Sequence, residues 1–238
     1  MSWSGKVPDG VGFVAELQSL FYPHFDGPRP DAVTGADWLR VRRDLARDQA
    51  AAVAQDPLAR PAARLGLFGQ SAGEGFRGRG YLADGLRARP AVLHPHYALM
   101  AGLSADDLGP TWDRVRALEG AGLMPPWGLV ENFTSDLAEY LPVQGSLNAA
   151  FECLATYHLA ARTGGWSDRI YEAARSCDAT SRAIELFFPD QFDGARPVHG
   201  APGADAAAGS HSLPRLARAG KGLSIAAQGL ASDRTRPA

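Results

Sequence analysis

At 238 residues, with 45% hydrophobic and 9% aromatic side chains, the chain has material for one domain with a real core, or for a domain with a tail. A formal charge of −2 gives no basic excess and so excludes the usual electrostatic signature of a nucleic-acid or membrane-surface partner. Its two cysteines, Cys153 and Cys177, offer neither a disulfide framework nor metal-ligand spacing; in apolar helical segments they read as reduced thiols rather than one bridge.

The opening MSWSGKVPDGVGF lacks the apolar run of a signal peptide, and nowhere does the chain reach about 18 consecutive apolar residues. As written it reads as cytoplasmic; a missing upstream segment would make it periplasmic or secreted. Phe13, Val14, Leu17, Leu20 and Phe21 repeat at helical spacing until Pro23. A second helix is expected after Thr34, with Asp37 completing a capping-box variant. Trp38, Val41, Leu45 and Ala52 form its inward stripe, interrupted by Gln49, while Arg40, Arg43 and Arg47 face solvent; Pro57 and Pro61 close it.

Residues 64–90 carry glycines at 66, 69, 73, 75, 78, 80 and 85 and read as one long irregular loop, with Phe68, Phe76 and Tyr81 favouring an ordered, functional one. Helical pattern returns where Pro95 can open a segment bearing Leu99 and Met100. Leu108, Trp112, Val115 and Leu118 mark another helix, ended by Gly120 and Gly122. One further helix carries Leu147, Ala150, Phe151, Leu154, His158 and Ala161, and a last one Ile170, Ala174, Cys177, Ile184 and Phe188. No strand-like alternation of useful length occurs, so the fold class is all-α. From Gly194 the composition turns to Gly, Ala and Pro, which predicts a disordered tail, 194–238, behind a helical domain, 1–193. The tail holds six Lys/Arg against two Asp/Glu, leaving residues 1–193 at a formal −6. An acidic domain suits a site built on carboxylates.

Three segments set polar groups beside aromatics. In LFGQSAGEG, Glu74 is flanked by glycines with Phe68 nearby; it is either a ligand-facing carboxylate or a solvated loop glutamate. In PWGLVENF, Glu131 follows Trp127 among apolar neighbours. Partial burial there would raise its pKa, as for a glycosidase general acid; the alternative is a glutamate at a helix N-terminus. In LHPHY, His94 and His96 lack a third ligand at metal spacing and read as a cap and a packed or ligand-contacting imidazole, so no metal site is expected. Gln144 enters the following helix as a cap or a hydrogen-bonding shelf, and His158 reads as a satisfied core histidine. The GQSAG run fits GxSxG, but a nucleophile elbow needs a parallel sheet that this pattern does not supply. Paired carboxylates with aromatic faces and amide groups are the components of glycosidic cleavage.

Four blocks, FGQSAGEGF, LHPHYALMAGLS with LEGAGL, WGLVENFTSD and VQGSLNAAFECLATY, occur in the order of the glucoamylase-like family, which includes β-1,2-glucanases and domains of cyclic glucan synthases. The chain resembles that family over roughly residues 10–175. The resemblance implies a shortened or partial (α/α)6-toroid-like helical domain and a glycoside hydrolase acting on a β-linked glucan without a cofactor. A non-catalytic carbohydrate-binding or scaffolding relative is the alternative. It assigns catalysis to Glu74 and Glu131, and substrate contacts to Phe68, Gln70, Tyr81, His94, His96, Trp127 and Gln144. The sequence departs from the family at Phe68 (usually tryptophan), Gln70 (usually apolar) and Glu74 (often aspartate). About seven helices fit into 193 residues at ordinary lengths, fewer than a full toroid, so a homo-oligomer or second chain is an expected means of completing the ring.

Overall fold

The computed structural model describes residues 11–83 and 87–191, all within the first of the chain's two units, Met1–Val198. The expected tail at 194–238 lies outside the described residues. Helices dominate: α1 (Gly12–Glu16), α2 (Trp38–Gln55), α3 (Arg60–Arg64), α4 (Pro95–Met100), α5 (Gly109–Gly120), α6 (Ser146–Gly164), α7 (Arg169–Arg175) and α8 (Asp178–Phe187). Strands absent from the sequence reading build two small antiparallel sheets. One pairs β1 (Gly73–Glu74) with β2 (Tyr81–Leu82); the other orders β3 (Val92–Leu93), β4 (Asn132–Thr134) and β5 (Tyr140–Leu141) with β4 central. Strands of two or three residues are too short to show a period of two, which is why the sequence hid them. The fold is mainly α rather than all-α.

The core is built around α4. Pro95 opens it with an already helical φ, all six residues are buried, and the 3-10 turn Ala101–Ser104 that continues it is buried as well. A helix apolar all round belongs inside. α6 packs along it, contributing Phe151, Ala155 and Leu159, with Leu118 of α5, Phe133 of β4 and Leu45 of α2 around the same core. α6 ends as expected of a glycine stop: Gly165 takes φ +66 and its N–H returns to the Ala161 carbonyl.

α2 differs from the reading in two ways. Its cap is Asp37, whose carboxylate accepts from Arg40 N, whereas Thr34 bonds Asp31. Its buried face is Leu39, Arg42, Leu45, Gln49 and Val53, so a charged and an amide side chain point inward. Arg42 there bonds Glu16 Oε2 at 3.0 Å, Asp26 Oδ1 at 2.6 Å and the Ser19 hydroxyl. Gln49 clasps the backbone of Gln70, its Oε1 accepting from Gln70 N at 2.5 Å and its Nε2 donating to Gln70 O at 3.0 Å. The first amphipathic segment is likewise turned: Ala15, Glu16, Ser19 and Leu20 are buried, and Val14, Leu17 and Phe21 are exposed. The last predicted helix is two, α7 and α8, broken at Ser176–Cys177. Both cysteines are free and exposed, Cys177 as the residue preceding α8.

His158 of α6 joins the two ends of the described chain. One ring nitrogen bonds Asp168, the cap of α7, and the other faces the Leu20 carbonyl at 2.9 Å; the Tyr171 hydroxyl donates to Ser19 O. It is the satisfied core histidine expected.

Candidate functional site

The three-stranded sheet positions the site. In the register Val92 faces Thr134 and Leu93 faces Phe133. Just past this pair stand His94, the residue that precedes α4, and Asn132 of β4, and both line a cavity of about 480 Å³. The wall opposite comes from the glycine-rich segment, where Glu74 of β1 pairs with Tyr81 of β2. Glu74 is exposed, and it lines the cavity together with Arg79.

Glu131, one residue before β4, is the hub of the arrangement. It is 1% exposed, and its two oxygens accept from Glu74 N at 2.9 Å, Gly145 N at 2.7 Å and Asn148 Nδ2 at 2.6 Å. The carboxylate therefore ties β1 to the entrance of α6, where the helix dipole favours an anion. It sits at a helix N-terminus, as one reading of the sequence had it, but that of a helix beginning further along the chain. Two glycines make the room. A Cβ on Gly73 would lie 2.8 Å from Glu131 Oε1 and 2.7 Å from His94 Cδ2, and one on Gly145 only 3.3 Å from Glu131 Oε2. The glycine spacing that first read as irregular loop is thus part of the carboxylate's seat.

His94 is buried, and its Nδ1 accepts from Ser71 N at 3.2 Å, which leaves the ring proton on Nε2. Burial holds its pKa down at about 4. Tyr81 is 48% exposed; burial of its hydroxyl, then the charges of Glu131 and Glu74, raise its pKa, so all three groups converge. Behind Glu131 stands Glu152 of α6, 8% exposed, accepting a hydrogen bond from Gln144 Nε2. Burial, with the Glu131 charge adding to it, pushes the Glu152 carboxyl up to about 8. Glu152 thus holds its proton at neutral pH.

The predicted residues divide accordingly. Glu74, Glu131, Tyr81, His94 and Gln144 come together. Trp127, 65% exposed, stands on the turn whose Gly128 lies against Gln144. Phe68, Gln70 and His96 do not belong to a cleft. Phe68 is 7% exposed, edge-on to Tyr97 and beneath the Arg114 guanidinium, so its ring faces no ligand. Gln70 is buried, its amide donating to Ala83 O at 2.8 Å. His96 is wholly buried between His94 and Phe151, and burial, with His94 adding to it, drives its pKa well down. Ser71 is buried as well, its hydroxyl accepting from Phe13 N at 3.3 Å, and among the described residues no parallel sheet stands around it to make an elbow.

Glu152, Asn148, Asn132 and Arg79 were missed. For the α6 pair a signal existed: Gln144, Asn148 and Glu152 fall four apart, one polar line beside the apolar Phe151, Ala155 and Leu159. Among the described residues no group of three or more His, Cys, Asp or Glu could hold a metal ion, and no helix is long and apolar enough to cross a membrane. Compared with known family models, curated proteins and solved structures, the chain matches none.

Proposed function

We propose that the protein is a shortened relative of the glucoamylase-like family, with a partial (α/α)6-toroid-like frame, and that its cavity works on a β-linked glucan by carboxylate acid/base chemistry. The observation that carries this reading is the coupling of two glutamates across one hydrogen bond: the buried Glu131 holds the backbone of Glu74, whose own carboxyl stands at the cavity wall. Glycosidic cleavage requires a proton donor to the leaving oxygen and a carboxylate that attacks or activates water. Glu74 is the group placed to reach a bond in the cavity. Glu131 fixes the backbone of Glu74 from beneath, and Glu152, its carboxyl pushed up to about 8 behind Gln144, is a source from which a proton can be returned. Tyr81 and the Nε2–H of His94 offer donors to sugar hydroxyls.

A second reading has its own support. All three donors around Glu131 are already satisfied by it, and so little of its surface is exposed that it reads equally as a structural anchor. A saccharide-binding protein without turnover fits that geometry. A screen of the purified protein against linear and cyclic β-1,2-, β-1,3- and β-1,4-glucans separates the two. Hydrolysis abolished by Glu74→Gln and reduced by Glu131→Gln supports the enzyme. Saccharide binding with no product supports the second reading, and hydrolysis unchanged in both variants removes the assignment.

A further inference from the structure

The cavity holds two features that a neutral glucan leaves unused or half-used. The first is Arg79. It lines the cavity with Glu74, and among the described residues no carboxylate pairs with it, whereas its neighbour Arg77 reaches Glu139 at 3.5 Å. Arg79 stands in the turn that joins β1 to β2, where Arg77, Gly78 and Gly80 take φ of 59°, 71° and 77°, as tight hairpin turns commonly require. The second feature is Asn132. It is 1% exposed at the cavity wall; its Nδ2 donates to Glu74 O, and its buried Oδ1 has no donor among the described residues. A buried acceptor without a partner is costly, and it identifies a place where a ligand hydroxyl can donate.

With His94 Nε2–H beside it, the wall thus presents one acceptor, one neutral donor and one guanidinium. The acceptor and the donor suit hydroxyls. A guanidinium matches carboxylate and phosphate in a forked, charge-assisted geometry that a hydroxyl cannot reproduce.

We propose that the cavity takes an acidic saccharide, one bearing a carboxylate or phosphate substituent, with Arg79 on the anionic group and Asn132 and His94 on neighbouring hydroxyls. This rests on the reading of the cavity as a saccharide site and narrows its substrate class. Arg87 also lines the cavity, but the assignment is made on Arg79 alone.

The test is calorimetric binding to the full chain with four probes: a neutral β-linked gluco-oligosaccharide, the same oligosaccharide oxidised to a carboxylate at C6, its 6-phosphate, and inorganic phosphate. The acidic oligosaccharides should bind at least about tenfold tighter than the neutral one, the worth of one well-made ion pair in a partly enclosed site. The better of the two identifies the anion. Arg79→Gln should remove that advantage while leaving neutral binding in place, and Arg77→Gln should leave it intact. Equal affinity for neutral and acidic forms, or a preference that survives Arg79→Gln, overturns the proposal while the saccharide reading stands. Acidic oligosaccharides binding no better than inorganic phosphate overturns the saccharide reading and, with it, the substrate class. No binding of any probe overturns both.

Discussion

Glu131 shows how one side chain can hold three segments. Its carboxylate satisfies two backbone amides and one side-chain amide from parts of the chain that would otherwise have no reason to meet. Each buried donor left without an acceptor costs about 1–3 kcal/mol. Glu131→Ala is therefore expected to destabilise the fold by roughly 3 kcal/mol or more, read as a drop in the urea midpoint at unchanged slope. Glu131→Gln keeps one acceptor oxygen and should cost less. Gly73→Ala tests the seat from the other side. Its Cβ would meet Glu131 Oε1 and His94 Cδ2 below 3.0 Å, neither of them a free chain end. A loss of about 1–3 kcal/mol is expected from such overpacking, with the thermal midpoint as its measure. That Glu131 matters was legible from its apolar neighbours and nearby tryptophan. Its partners were not, because two of the three are backbone N–H groups, which every residue but proline carries.

At the scale of the element, α2 and α6 show what periodicity does and does not reveal. Both were found at the right place, since caps, prolines and glycine stops act locally. The buried face of α2 departs from its apolar stripe because it includes Arg42 and Gln49, polar residues that periodicity alone assigns to solvent or to an interruption. A buried arginine becomes readable only with its acids, and Glu16 and Asp26 come from a segment well upstream. Arg42→Ala should destabilise strongly, by about 3–5 kcal/mol, because it leaves Glu16 and Asp26 without the guanidinium that bonds them both. Arg42→Met combined with Glu16→Leu should cost clearly less, since the two buried polar partners then go together. Comparing the two in denaturant separates ion-pair chemistry from packing. In α6 the apolar stripe dominates the pattern, and the polar line of Gln144, Asn148 and Glu152 beside it is too weak a periodic signal to single out Glu152.

For the molecule as a whole, buried titratable groups shape how stability varies with pH, Glu16, Glu152 and His94 among them. Glu16 and Glu152 have folded pKa values of about 7 and 8, above the 4.5 of a free glutamate, chiefly through burial. Each keeps its proton in the folded state where the unfolded chain has released it. Their contribution is full below about pH 4.5 and is lost as pH rises through 7 and 8. His94 acts oppositely: with a pKa lowered from 6.5 to about 4, its contribution is present above 6.5 and is lost as pH falls toward 4. Between about pH 6.5 and 8 the two carboxyls act unopposed by His94, so stability should decline there. Glu152→Gln should flatten that decline, as thermal unfolding of both proteins across this range will show. None of these groups could be ranked from sequence, because burial is decided by elements distant along the chain. The helical class, the order of helices and the two loops that meet at the site were legible; the small sheets that bring those loops together were not.

The clasp of His158 on Leu20 also governs the order in which the molecule can be assembled during translation. Leu20 O receives its bond from a side chain 138 residues later, and Ala32 N bonds Phe187 O at 2.8 Å. At ordinary rates of synthesis, of about 5–20 residues per second, the first segment waits roughly 7–28 s for the residue that completes its packing. Through that interval the nascent chain carries Leu20 and the charges around Arg42 without their final cover. Ribosome-bound chains stalled before residue 158 should therefore be cut by added protease within the first segment faster than the released protein is.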